Sequence, residues 1–377
     1  MNRGSPAVVE TVASDGLVAR AVSRQGCEDL FVTATLDRHP SVRAMFQCVA
    51  DLIAARDASI VSVEVFGLAA GGPDAAAPAL REVFGEIAWP LTWLDEGSQN
   101  EPPLAGIVVH GVCGLDVTPV QLRGRAIGSV YEDEFARYCV LGGLQPLDLS
   151  LDRPAQARQV FEGMFTALDR AGMAFADVVR TWLWVDNILD WYGEFNKVRT
   201  AFFDEHGVFD VMVPASTGIG GHNASGSALD AALFAVRAKG PGVEASTVPS
   251  PLQDEPGAYG SSFSRAAELV TPQYRQIFVS GTASIARTGE TMYVGDVDAQ
   301  IARTMEVVKA ILESRRMTWA DVSRSLAYCR KATDAPAFRA YCEAHGLQTM
   351  PALVANNTVC RDNLLFEIEV DAIVPNE

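Results

Sequence analysis

The chain has 377 residues, with 30 Lys and Arg against 47 Asp and Glu, a formal charge of −17, and 49% hydrophobic and 20% charged residues. That balance suits a protein that buries a large core and excludes a disordered or fibrous one, and without a basic cluster to neutralise phosphates nucleic acid is not an expected partner. No apolar run approaches the roughly 18 residues of a membrane span, and the start, MNRGSPAVVETVASDG, lacks a basic segment leading into an apolar one, so no membrane contact and a cytoplasmic location are expected.

From the N-terminus, DLFVTATL (29–36) reads as a strand, Met45, Phe46, Val49, Leu52 and Ile53 form a helical stripe, and SIVSVEVFG (59–67) reads as the next strand. Between Gly71 and about Pro103 the stretches GGPDAAAPAL and NEPPL predict loop and irregular connection. The same plan then returns twice, more clearly. Ala155-Gln156, Met173, Ala176-Asp177-Val178 and Arg180 recur 144 positions later as Ala299-Gln300, Met317, Ala320-Asp321-Val322 and Arg324. AFFDEHG (201–207) answers AYCEAHG (340–346), and Val213-Pro214-Ala215 answers Met350-Pro351-Ala352. Each copy reads as strand, helix, strand, helix and a Pro-led final strand. Phe161, Met164, Phe165 and Leu168 form the core stripe of the first helix in one copy, and Ile301, Met305, Val308, Ile311 and Leu312 in the other. The expectation is an α+β chain of three closely packed units: a degenerate one at 1–125, a second at 126–245, and a third at 246–377.

Most motifs fail on spacing. TGIGGHNASG (217–226) would need a third glycine at position 223, which is Asn223, so it is no dinucleotide loop. Seven cysteines form no CxxC and five histidines no HxxxH, which argues against a disulfide framework and a zinc site. His206 and His345, each before a glycine at a helix end, read as structural. His222 reads as an exposed loop residue, and Arg180 and Arg324 as salt-bridge formers. Cys360 reads as a small hydrophobe rather than a thiolate. Arg265, in YGSSFSRA (259–266), is either a surface residue or a carboxylate clamp. The closing strand LLFEIEV (364–370) carries more: alternation sets Leu364, Phe366, Ile368 and Val370 on one face and Leu365, Glu367 and Glu369 on the other. In an isolated unit those carboxylates would be solvated. If the units pack sheet to sheet they become buried, and burial beside a like charge raises a carboxyl toward the range of a general acid.

The repeat plan, SFSRAAELV with QIFVSGTASI, GDVDAQI and FEIEVDAI resemble the YjgF/RidA fold. That resemblance implies mixed sheets backed by helices, ligand sites between neighbouring sheets, and here a pseudo-trimer within one chain, as a monomer or a homo-oligomer. The arginine that RidA imine deaminases carry after Pro-Ala is absent from Pro214-Ala215-Ser216 and Pro351-Ala352-Leu353. PASTGIGG (214–221), YGSSFSRA (259–266), SGTASI (280–285), GDVDAQ (295–300) and VCRDNLLFEIE (359–369) resemble the chorismatase family over about residues 130–377. RTWLWVDNILDWY (180–192) departs from that family's usual segment.

The resemblance implies cleavage of chorismate to 3-hydroxybenzoate and pyruvate, with Glu367 as the acid, Glu369 tuning it, and no metal or organic cofactor. Gly281 and Cys360 match the 3-hydroxybenzoate branch, where hydrolases that form a dihydrodiol carry alanines. Arg265 would clamp one substrate carboxylate, and Thr217 with the amides of Gly218 to Gly220 the other. Tyr259, Phe263, Ser216 and Ala283 would line the site. The alternatives are a chorismate hydrolase, an enzyme of the same fold acting on another enol or an imine, and a non-catalytic metabolite-binding protein.

Overall fold

A computed structural model describes residues 5–14, 16–71, 75–100 and 103–376, without the side chains of 258 and 259. The first unit runs β1 (Val8–Ser14), β2 (Leu17–Arg24), β3 (Cys27–Thr35), α1 (Val42–Ala55), β4 (Ser59–Phe66), α2 (Ala77–Phe84), β5 (Leu91–Leu94) and β6 (Gly106–Cys113). The second runs β7 (Thr118–Leu122), β8 (Arg125–Glu132), β9 (Ala136–Leu144), α3 (Arg153–Arg170), β10 (Val178–Val185), α4 (Ile188–Glu205), β11 (Ala215–Gly220) and β12 (Leu229–Ala238). The third runs β13 (Glu244–Val248), β14 (Ala266–Val270), β15 (Tyr274–Ala283), α5 (Val297–Ser314), β16 (Val322–Cys329), α6 (Ala335–Ala344), β17 (Ala352–Asn356) and β18 (Phe366–Pro375).

All three sheets have one order, β1-β2-β3-β6-β4-β5 and its counterparts, with the last strand of each unit in the interior. The pairs β4–β5, β10–β11 and β16–β17 are parallel and the remaining pairs antiparallel. The second sheet begins at Thr118 and the third at Glu244, ahead of the boundaries expected at 126 and 246. The stretch expected to be irregular holds α2 and β5, because APALREVF carries Pro78 in its first turn, where a proline suits a helix, and LTWL pairs with β4. The Pro-led strand is not the final one of its unit: β11 and β17 sit at sheet edges, and β12 and β18 follow them.

Helices cover one face of each sheet and the other two sheets cover the second face. α1 and α2 pack on the first sheet, α3 and α4 on the second, and α5 and α6 on the third, while a fourth apolar cluster joins all three sheets through Phe66, Trp184, Phe234, Phe278 and Tyr328. Phe66, Trp184 and Tyr328 hold one register position in the three units and meet at the centre, with Phe66 6.1 Å from Trp184 and 6.5 Å from Tyr328.

The helix stripes fall where their spacing predicts, with one exception: Phe165 is exposed, because a residue one step past Met164 points about 100° away from it. The repeated Asp152 and Asp296 cap α3 and α5 by accepting the amides of Ala155 and Ala299. The repeated glutamines also do one job: Gln156 Oε1 accepts Ala228 N at 3.0 Å, and Gln300 Oε1 accepts Leu365 N at 2.8 Å, tying each helix to the start of the interior strand. No helix of the described residues is long and apolar enough to cross a membrane.

Candidate active site

Alternation along β18 sends Phe366, Ile368, Val370 and Ala372 into the helix-backed core and Glu367, Glu369 and Asp371 toward the neighbouring sheets. Sheet packing buries all three carboxylates, to 4%, 0% and 4% exposure. Glu369 is the well-partnered one: it accepts Arg324 Nη1 at 2.6 Å, Trp182 Nε1 at 2.8 Å and Arg180 Nη2 at 3.1 Å. The indole of Trp182 lies between the two guanidiniums, 4.9 Å from each. Burial opposes charge on Glu369, but Arg324 and Arg180, with hydrogen bonds from Thr217 and Arg324, hold its carboxyl below the usual range. Glu367, two residues away, has no hydrogen-bond partner among the described residues. Burial and then the negative Glu369 push it up to about 8, against a smaller opposing pull from Arg180. Adjacent carboxyls are thus driven apart, one anionic and one neutral at pH 7, which is how a fold separates an acid from an electrostatic partner.

The second sheet supplies the facing wall. Residues 217–220 of the glycine-rich run belong to the edge strand β11, and 221–226 form the loop that follows it. Thr217 Oγ1 accepts Arg180 Nη2 at 2.6 Å and the amide of Gly281 at 3.0 Å. Ser216 Oγ accepts Thr181 Oγ1 at 2.8 Å, and the Ser216 amide donates to Ser280 Oγ at 2.8 Å. Ser280 and Gly281 sit where the β15–β18 register shifts, a bulge that turns this stretch toward β11. Gly281 is required: a Cβ there would lie 2.2 Å from Glu367 Oε1 and 3.0 Å from Thr217 Cγ2. Ala283, opposite Glu367 in the ladder, is buried. One expectation is corrected: the Gly220 amide does not point at a ligand, because it donates to Thr358 O at 2.7 Å in a contact only a glycine permits.

Helix α4 and the segment before β18 complete the surroundings. Tyr192, Asn196 and Arg199 share one helical face. A Cβ on Gly218 would stand 3.2 Å from the Tyr192 hydroxyl, and Arg199 Nη2 donates to Asn196 Oδ1 at 2.6 Å. Arg199 is 1% exposed and its Nε has no hydrogen-bond partner among the described residues. Phe263 lies between Arg199 and Arg265, 5.6 Å and 5.9 Å from their guanidinium carbons. Arg265 is buried, not a surface residue; its Nε and Nη2 donate to Asp254 O at 3.0 Å and 2.8 Å, and burial brings it down to about 10. Cys360 is half-buried, and burial, reinforced by Glu367, pushes its thiol up to about 12, which leaves it neutral. The side chain of Tyr259 lies outside the described residues. Half-buried Tyr192, Gly218, Phe263, Gly281, Cys360 and Arg361 mark where solvent reaches this interface. A cavity of about 60 Å³ at the meeting of the three sheets, lined by Glu64, Thr92, Trp182, Arg324 and Asp371 among others, does not include Glu367.

The structure therefore brings together Glu367, Glu369, Thr217, Gly218, Gly281, Phe263, Arg265 and Cys360. It adds Arg180, Trp182, Tyr192, Asn196, Arg199 and Arg324. Arg180 and Arg324 form the salt bridges expected of them, but they form them with Glu369. The signal for Arg199 was an arginine in register with Phe195 and Phe202 on the inward face of its helix.

Residues 138–227 match the family model described as Endoribonuclease L-PSP. The chain is 28% identical to a chorismatase of Streptomyces hygroscopicus over 316 residues, covering 72% of this chain and 90% of that one. It is 29% identical to a chorismatase of Streptomyces rapamycinicus over 233 residues, covering 56% and 67%. A solved chorismatase structure superposes with a TM-score of 0.60 at 21% identity, covering 83% of this chain and 93% of that one. The fold is thus a tandem of three YjgF-like units, with a carboxyl pair buried between two of its sheets. Within that class, the sequence likeness at 28–29% identity is to chorismatases.

Proposed function

We propose that the protein cleaves chorismate to 3-hydroxybenzoate and pyruvate. The observation that carries this reading is Glu367: a buried carboxyl pushed up to about 8 and held beside the ionised Glu369. Chorismate is a dianionic enol ether, and its cleavage needs one proton on the enolpyruvyl methylene carbon. Glu367 donates it, the C=C electron pair forms the new C–H bond, and an oxocarbenium ion results. The Glu367 carboxylate left behind and Glu369 stabilise that cation electrostatically. Arg199, Arg265 and Arg361 stand around Phe263 and Cys360 as cations for the two substrate carboxylates, and the Nε of Arg199, without a hydrogen-bond partner among the described residues, is a ready donor.

The fate of the cation decides the product. Water at that carbon gives a hemiketal that collapses to pyruvate and a dihydrodiol. Attack by the ring 4-hydroxyl followed by elimination gives 3-hydroxybenzoate and pyruvate, which together are isomeric with chorismate and use no net water. Gly281 and Cys360 favour the internal route: the Glu367 carboxyl occupies the space above Gly281, and a neutral thiol takes the place of a smaller side chain beside it. The test is incubation with chorismate and product identification by chromatography and mass spectrometry, with Glu367→Gln alongside. Pyruvate and 3-hydroxybenzoate, lost in the variant, are expected. A dihydrodiol would move the protein to the hydrolase branch. No consumption of chorismate would turn attention to an enol, an imine or simple metabolite binding.

A further inference from the structure

Glu64 lies in β4 of the first unit, whose strands supply none of the residues around Glu367. Its register position is held by Trp182 in the second sheet and Leu326 in the third: Glu64 stands opposite Val108, Trp182 opposite Ala232 and Leu326 opposite Glu369. Uncharged side chains therefore serve at that position, and burying an ion where one would do is costly unless the ion has another use. Glu64 is 9% exposed and reaches across to the third sheet, where its Oε2 accepts Arg324 Nη2 at 2.5 Å. The other arm of the same guanidinium, Nη1, donates to Glu369 at 2.6 Å and lies 3.6 Å from Asp371. One arginine thus links a carboxylate of the first unit to the carboxylate beside the acid. Such a chain fixes geometry, since the planar fork of Arg324 cannot turn toward Glu369 with both arms while Glu64 holds one. It also fixes charge. Arg180 and Arg324 carry two positive charges into this cluster, and Glu369 alone balances one of them.

We propose that Glu64 is a positioning residue for the acid: through Arg324 it sets the place and the net charge of Glu369, and so keeps the transferable proton on Glu367. The proposal rests on the chorismate-cleaving reading and gives the first unit a part in that reaction. Burial pushes the Glu64 carboxyl up against the pull of Arg324, so its charge counts most on the alkaline side; removing that charge leaves the cluster more positive, which stabilises the Glu367 anion and makes the acid give up its proton to solvent at lower pH. The groups around Glu367 are Glu369 on its own strand, Arg180 on β10, Thr217 on β11, Tyr328 on β16, Tyr192 and Arg199 on α4, and Cys360 and Arg361 before β18. Glu64→Gln leaves each of these side chains in place; Glu369, Arg180 and Tyr328 also feel the Glu64 charge through space, in the same direction as its effect through Arg324.

The experiment is the pH profile of kcat/KM for chorismate, from about pH 6 to about pH 10, in the full-length protein and in Glu64→Gln and Glu64→Asp. The expected result is a basic limb that moves down by about one pH unit in Glu64→Gln, an extra loss of about tenfold on the alkaline side relative to the acid side, and that returns toward wild type in Glu64→Asp. A limb that stays in place, or a loss equal at every pH, would reduce Glu64 to a structural contact and overturn the proposal. Should Glu64→Gln not fold, Asp371→Asn on the same guanidinium must move the limb in the same direction. If the wild type does not consume chorismate, the reading of function fails by itself; Glu64 is then judged by titrating the Glu367 carboxyl by carbon-13 NMR in wild type and variant, where an unchanged midpoint overturns it.

Discussion

Glu367 and Glu369 are two residues apart on one strand, have the same chemistry and are both buried, yet they hold opposite protonation states at neutral pH. The difference is in partners: Glu369 accepts from two arginines and an indole, whereas Glu367 meets the edge of β11 and the bare backbone of Gly281. Replacing Glu367 with Gln removes the proton but keeps the shape, so turnover should fall by about 10²–10⁴ while thermal unfolding changes little, as read by steady-state kinetics and calorimetry. With the acid pushed up to about 8, wild-type activity should be flat below that pH and fall about tenfold per unit above it, because only the protonated form works. Gly281→Ala puts a methyl group where Glu367 Oε1 now sits and should lower turnover by displacing the carboxyl. Combined with Cys360→Ala it should also divert product toward the dihydrodiol; a double variant that still makes only 3-hydroxybenzoate would defeat the account of branch choice.

At the level of elements, β18 was legible because a period of two needs no tertiary knowledge: FEIEV separates a core face from an acidic face on any sheet. Which face is buried was not legible, since the cover for Glu367 comes from β11, about 150 residues earlier in the chain. Arg199 was hidden for a similar reason. Its helix spacing marks it as inward-facing, but the neighbours that give it a use, Phe263 and Cys360, come from the next unit. The glycine run was legible only in part: 221–226 is a loop, but Gly218 and Gly220 lie in the edge strand β11, where they let the Tyr192 hydroxyl and Thr358 approach. The repeated glutamines were visible as a 144-residue echo without a stated role, and the structure supplies one. Gln300→Ala leaves Leu365 N without its acceptor immediately before the acidic strand. It should cost about 1–3 kcal/mol in urea unfolding and should lower kcat more than the corresponding change at Gln156, whose strand carries no acid for the reaction.

In the whole molecule three interfaces share one plan and differ in content. Between the second and third units lie Thr217, Gly281 and Glu367. Between the first and second, Thr92 Oγ1 accepts the amide of Gly143 at 2.9 Å, and the position of Glu367 is held by Asp230, buried and pushed up to about 7 by that burial. Between the third and first, the same positions are Leu353 and Gly106, where a Cβ would meet Ala34 O at 2.4 Å. The first of these three is the site proposed for chorismate, so calorimetric titration should give one substrate bound per chain, and Asp230→Asn should leave turnover intact. Glu367, Asp371 and Asp230 all bind protons in the folded state that the unfolded chain releases near its lower carboxyl values. Stability should therefore be greatest toward the acid side and decline as pH rises through about 7 to 8, with the melting temperature following; Asp230→Asn should flatten that decline. Fusion into one chain is what permits the inequality. In a trimer of identical subunits any substitution appears at every interface at once, so an acid cannot be kept at one and lost at the others. Here each copy answers to its own codon, and the two interfaces that lack the proposed acid are free to become the rigid frame against which the third is held.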